Sequence, residues 1–155
     1  HEFSHVLGLP DEYDTDYAKS GGQSVHPQIW SLMAGGSYRN KSRTPVAYTL
    51  YERYALGFAS PILIDKPGDF KLGALNTTNE GYRINSAMKN EFFLIENRQM
   101  TGWDAYLPGH GMIVTRVDST NVDVWENNQI NVNPAQNHKE IINKKTSETG
   151  NKVKE

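Results

Sequence analysis

The chain has 155 residues, 37% of them hydrophobic and 22% charged, enough to bury the core of one ordinary globular domain. A formal net charge of −2 provides no basic face for nucleic acid and no polybasic stretch for an anionic bilayer, and no apolar run reaches the ~20 residues of a membrane helix. Without cysteine there is neither a disulfide nor a thiolate site, so any metal must be held by His, Asp or Glu.

Taken in chain order, HEFSHVLGLP places Phe3, Val6, Leu7 and Leu9 among polar positions, which predicts a short amphipathic helix ended by Gly8 and Pro10. Residues 11 to 43 read as loop, rich in Gly, Ser, Asp and Tyr, and a loop of that length inside a domain is usually functional. Thr44 and Pro45 then suit the N-cap and first turn of a helix carrying Val46, Leu50, Tyr54 and Phe58 at four-residue steps and closed by Gly57. On that helix Glu52 falls on the exposed side. Beyond Pro61 the runs PILID, DFKLGAL, GYRIN, EFFLIENR and GMIVTRVD predict short, mostly antiparallel strands. Residues 137–155 lack aromatics and are dense in Lys and Glu, which predicts a flexible tail. The fold class is therefore α+β, organised as 1–60, a β-rich 61–136 of the same unit, and the tail. No internal repeat is visible.

The chemistry is concentrated at the start. His1, Glu2 and His5 fit HExxH, which on a helix projects two imidazoles from one face toward a single zinc with the glutamate beside them. The competing view is that these are ordinary helix-surface residues, but a chance HExxH is expected in under ~1% of chains this long. Two ligands hold zinc poorly, and a third with one position left for water is what brings the water's pKa down to ~7. Gly8 permits the positive φ that turns the chain back, so Asp11 can reach the same metal, completing HExxHxxGxxD. Glu12, Asp14 and Asp16 are rival third ligands, and Glu52 would be the choice in a gluzincin-type peptidase. The same acidic run is a candidate for calcium, although it lacks the EF-hand spacing and its glycine, and a solvated acidic loop is the preferred reading.

HExxHxxGxxD resembles the metzincin signature, and SLMAGG at 31–36 resembles the Met-turn of that clan, with Met33 as the apolar floor beneath the histidines. Met33 also reads simply as a core methionine. More narrowly, HEFSHVLGLPDEYD, SLMAGGSY, the helix ending in LGF, FFLIENRQ and GWDAYLPGHGMIVTRVD, in that order, resemble the immune inhibitor A family of secreted bacterial metalloproteases from His1 to about Ala135. The resemblance implies a zinc endopeptidase made as a larger secreted, extracellular precursor and acting on proteins or peptides. It implies a short zinc-binding helix, a metzincin-like C-terminal subdomain with one further helix, and a partnering N-terminal subdomain of which this chain holds only the last helix. The expectation follows that residues 1–155 alone bind zinc weakly and cleave nothing.

In the chemistry expected, Glu2 takes a proton from the metal-bound water and returns it to the leaving amine, while Tyr38, five residues past Met33, is a candidate donor to the oxyanion. His26 and His110 read as exposed loop histidines, and Glu96 with Arg98 as a structural polar pair on one face of a strand. A different class of function remains open: a non-enzymatic module whose β-rich part, with Trp103, Tyr106 and Trp125, holds a peptide or glycan. Metal-independent binding by that part alone would favour it.

Overall fold

The computed structural model describes residues 1–13, 15, 27–89 and 91–118, with the backbone of 130–134. Asp14, Asp16, His26, Trp125 and the tail from 137 lie outside the described residues, as does any test of what was expected of them. Helix α1 spans Glu2–Val6, α2 Arg39–Ser42, α3 Leu50–Ala55 and α4 Leu75–Thr78, and 3-10 turns occupy Gln28–Trp30, Gly35–Tyr38 and Gly102–Tyr106. Strands β1 Ile62–Leu63, β2 Tyr82–Asn85, β3 Glu91–Arg98, β4 Gly111–Asp118 and β5 Ile130–Pro134 form one five-stranded sheet in sequential order. Helices and a sheet share one domain, which is the α+β class. No described helix is long and apolar enough to cross a membrane.

The sheet is antiparallel from β2 onward, and only the short β1 runs parallel to β2. Register follows from alternation. On β3 the side chains of Leu94, Glu96 and Arg98 share a face, and their partners across β4 are Thr115, Ile113 and Gly111. Leu94, Ile113 and Val117 on that face join Trp30, Val46, Leu50, Tyr51, Ala59, Leu75 and Leu107 in a single hydrophobic cluster. The cluster draws on both the segment before residue 60 and the sheet after it. Burying each of its large aliphatic side chains contributes roughly 1.5–3 kcal/mol, so neither segment keeps its packing without the other.

Several elements differ from expectation. The helix expected from Thr44 begins at Leu50, because Thr49 is the better cap: its hydroxyl accepts from the Glu52 N–H at 3.1 Å while the Glu52 carboxylate accepts the Thr49 N–H, a reciprocal capping box. Val46 is buried from the irregular segment that precedes the helix, and Phe58, at the other end of the supposed stripe, is exposed. Glu52 is not on an exposed side; it is completely buried. DFKLGAL forms no strand: Phe70 is exposed, the sole pairing is an isolated bridge from Ala74 to Asn97, and Leu75 starts α4. The long loop is partly structured by the 3-10 turns and by α2, whose Asn40, Lys41 and Ser42 take positive φ, a conformation that L-residues adopt at a cost.

Candidate metal centre

Helix α1 is short, and its outward side chains Phe3 and Val6 are exposed, whereas Ser4 is buried and donates to or accepts from the Tyr48 hydroxyl at 2.6 Å. Helical spacing puts His1 and His5 on one face with ring centroids 4.9 Å apart. Gly8, at φ 101°, turns the chain in a conformation few other residues adopt cheaply, and Asp11 comes back beside the two rings. The Asp11 Oδ1 lies 3.2 Å from His1 Nε2 and 3.4 Å from His5 Nε2.

The protonation of the rings follows from their far sides. His1 Nδ1 is 2.9 Å from the Leu32 carbonyl and His5 Nδ1 is 2.7 Å from the Leu9 carbonyl. A carbonyl oxygen can only accept, so each Nδ1 carries the hydrogen, and Nε2 is the ring atom that faces Asp11 and, in a neutral ring, offers a lone pair. With both rings neutral, those lone pairs converge on a carboxylate oxygen that is itself buried and meets no hydrogen-bond donor among the described residues. Three acceptors facing one another repel, and a shared cation reverses the sign. Ligands ~2.0–2.1 Å from a tetrahedral zinc are about 3.3 Å from each other, which is the spacing of Asp11 Oδ1 from both imidazoles. The donor set fits zinc. All three ligand atoms lie within 4.8 Å of one another, and this is the one such His, Asp and Glu group among the described residues.

Glu2 is almost wholly exposed on the first turn, with Oε1 4.0 Å from His1 Nε2, so its carboxylate sits beside the converging lone pairs without joining them. Met33 is fully buried in the turn that supplies the Leu32 carbonyl. That turn is held at its ends. Ser31 O accepts from the Ala34 and Gly36 amides, and a Cβ on Gly36 would come within 2.3 Å of Ser31 O and of Val46 Cγ2, so no larger residue fits. The Met33 carbonyl accepts the Glu12 N–H at 2.8 Å, which ties the residue next to Asp11 to the same turn. Tyr38 closes the following 3-10 turn and is largely exposed.

Of the rival ligands, Glu52 is occupied elsewhere: Oε1 accepts from Ser31 Oγ at 2.9 Å and from the Met33 N–H at 3.0 Å. Glu12 is buried and meets no hydrogen bond at either oxygen among the described contacts. Burial, then the Glu52 charge, raises its pKa well above the usual carboxylate range, and Glu96 adds a smaller push in the same direction. Nothing in this arrangement supports calcium, and the remaining acids of the run are outside the described residues. His110 is exposed. Trp103 and Tyr106, considered for a binding module, are exposed on the 3-10 turn Gly102–Tyr106.

A second polar cluster escaped sequence reasoning in most of its members. Arg98, fully buried, donates to Glu96 Oε1 at 3.1 Å, through Nε to Asp104 Oδ2 at 2.8 Å, and to the Trp30 and Ala47 carbonyls at 3.2 Å each. Glu96 in turn accepts the Leu50 N–H, and Asp104 accepts the Ala47 N–H at 2.9 Å. Burial works against the Arg98 charge, but Glu96 and Asp104 outweigh it and hold the guanidinium firmly protonated. Burial raises the Glu96 carboxyl against the opposing pull of Arg98. The alternation of EFFLIENR signals the Glu96–Arg98 pair, but no local pattern points from Arg98 to Trp30 or Ala47.

Comparison with known proteins finds sequence matches over the part of the chain that carries this geometry. Residues 1–54 match the family described as immune inhibitor A peptidase M6, catalytic domain, so the first third of the chain resembles that family in sequence. Immune inhibitor A of Bacillus thuringiensis subsp. alesti is 47% identical over 51 residues, 32% of this chain and 7% of the relative. The pre-pro-metalloprotease PrtV of Vibrio cholerae serotype O1 (strain M66-2) is 40% identical over 58 residues, 36% of this chain and 6% of the relative. The matched part is thus less than a tenth of either relative. No solved structure matches.

Proposed function

We propose that this chain carries the metal centre of a zinc-dependent endopeptidase of the metzincin type, secreted as part of a larger precursor and acting on protein or peptide substrates. The observation that carries the proposal is the convergence of His1 Nε2, His5 Nε2 and Asp11 Oδ1, in a sequence stretch shared with peptidases. A bound zinc would polarise the scissile carbonyl and acidify a water. His1, His5 and Asp11 would hold the ion, with the Leu32 and Leu9 carbonyls orienting the imidazoles from behind. Glu2, exposed and 4.0 Å from His1 Nε2, takes the water's proton and passes it to the leaving amine. Tyr38 is assigned the oxyanion, and Met33 the apolar floor.

Support for secretion and for the precursor comes from the relatives' side, where one is named a pre-pro-metalloprotease. The gluzincin alternative is disfavoured because the Glu52 carboxylate is consumed by Ser31, Met33 and Thr49. The test is Glu2→Gln in the full-length protein that contains this segment. Zinc content should stay at the wild-type level while peptide hydrolysis falls by at least the ~10²-fold typical of losing a general base. Retention of most of the wild-type rate would remove Glu2 from that role.

A further inference from the structure

We propose that Glu52, outside the ligand set, is a positioning residue of the metal centre, acting through the Leu32 carbonyl on His1; the inference rests on the zinc assignment above. A capping box uses Glu52 only at Thr49, and one carboxylate oxygen serves that purpose. The other oxygen reaches away from the helix and accepts from Ser31 Oγ at 2.9 Å and from the Met33 N–H at 3.0 Å. These two residues flank Leu32. The Met33 N–H is shared with Ser31 Oγ at 2.9 Å, so hydroxyl, amide and carboxylate form a closed, fully buried knot.

Between its two anchored neighbours the Leu32 peptide has little freedom, and its carbonyl is the acceptor for His1 Nδ1–H at 2.9 Å. That hydrogen bond selects the tautomer and the ring orientation that leave Nε2 facing Asp11. Helix α3 therefore sets the aim of a ligand on α1 across the turn that joins them. In Glu52→Gln the side-chain amide must place an N–H where either Thr49 or the Ser31–Met33 pair now donates, and one of those contacts is lost.

The experiment uses cobalt(II) as the probe in the full-length protein, reading affinity by chelator competition and the ligand-field absorption of the bound ion. Glu52→Gln should weaken cobalt about tenfold or more and shift the absorption bands, since the His1 ring is no longer held at one angle. Thr49→Ala removes the helix cap and leaves the Ser31–Met33 side of Glu52 intact; it should lower stability while keeping the wild-type spectrum. Ser31→Ala, a smaller change that tests the knot even if Glu52→Gln folds poorly, should move the spectrum in the same sense as Glu52→Gln. Wild-type affinity and bands in both Glu52→Gln and Ser31→Ala would overturn the inference and leave the metal centre standing. Equal spectral shifts in Thr49→Ala and Glu52→Gln would reduce Glu52 to a helix cap. A wild-type protein that binds no cobalt would overturn the zinc assignment itself, and the inference with it.

Discussion

Around His1, His5 and Asp11 three possible ligand atoms gather within 4.8 Å and, among the described residues, no other side chain donates to the Asp11 oxygen they share, whereas around Arg98 the charges answer one another: Glu96 and Asp104 face the guanidinium, and their remaining capacity is taken by backbone N–H groups. The first group is only partly buried, on a short helix whose outer face is exposed. The second is sealed between the sheet and the segment 30–50. Both use ionisable residues, but only the second has each buried charge paired within the fold. On the function proposed above, the first keeps its capacity for an ion, and the helix, the Gly8 turn and the Met33 turn hold its members together without one.

The largest effect should come from breaking the satisfied group. Arg98→Met strands two buried carboxylates and frees the Trp30 and Ala47 carbonyls, so a loss of about 3–5 kcal/mol in urea unfolding is expected. Replacing Glu96 and Asp104 by apolar residues as well should not restore stability, as such replacement sometimes does elsewhere, because the Leu50 and Ala47 N–H groups would lose their acceptors. A triple variant as stable as wild type would show that the cluster is dispensable charge.

The opposite behaviour is expected at the unsatisfied group. Asp11→Asn replaces a carboxylate by an amide that can donate to an imidazole lone pair, so without metal the stability should hold within about 0.5 kcal/mol or rise. Zinc affinity, measured by equilibrium dialysis on the same protein, should fall by more than the ~10–100-fold that losing an outer-shell partner costs. A variant that loses stability in the absence of metal yet keeps zinc would reverse the roles assigned to the two regions.

The contrast also explains what the sequence reveals. HExxHxxGxxD is legible because its members are joined by local geometry: one helical turn and one glycine turn bring them together within eleven residues. The same locality makes strands β2, β3 and β4 readable from alternation, while DFKLGAL misleads because its apolar residues alternate without a partner strand to bury them. Glu52 reads as a surface residue of a helix begun five residues early; once Thr49 is the cap, Glu52 becomes the third helical residue and turns inward. The carbonyls of Trp30 and Ala47 meet Arg98 only after the chain has folded, because no spacing rule connects residues so far apart in sequence, while Asp104, six residues on, meets it from the Gly102–Tyr106 turn.

The smallest effect concerns the tie between the two regions. Ala47 is gripped at its amide by Asp104 and at its carbonyl by Arg98, and its neighbour Tyr48 reaches α1, where its hydroxyl meets Ser4 at 2.6 Å. Ser4 is buried and lies between His1 and His5 in sequence, so this hydrogen bond fastens the turn that carries them to the segment gripped by the Arg98 cluster. Tyr48→Phe keeps the ring and removes only that bond, and a cost of about 1 kcal/mol is expected from the net value of a neutral hydrogen bond. Metal affinity should fall by less than the roughly tenfold expected of Glu52→Gln, because the His1 and His5 contacts to carbonyl groups remain. A double-mutant cycle with Ser4→Ala isolates the pair, and its coupling should account for most of the loss. A coupling near zero, with metal affinity unchanged, would mean that α1 is held by its own turn and by Leu32 alone, and that the two clusters share a core without sharing a mechanical connection through Tyr48.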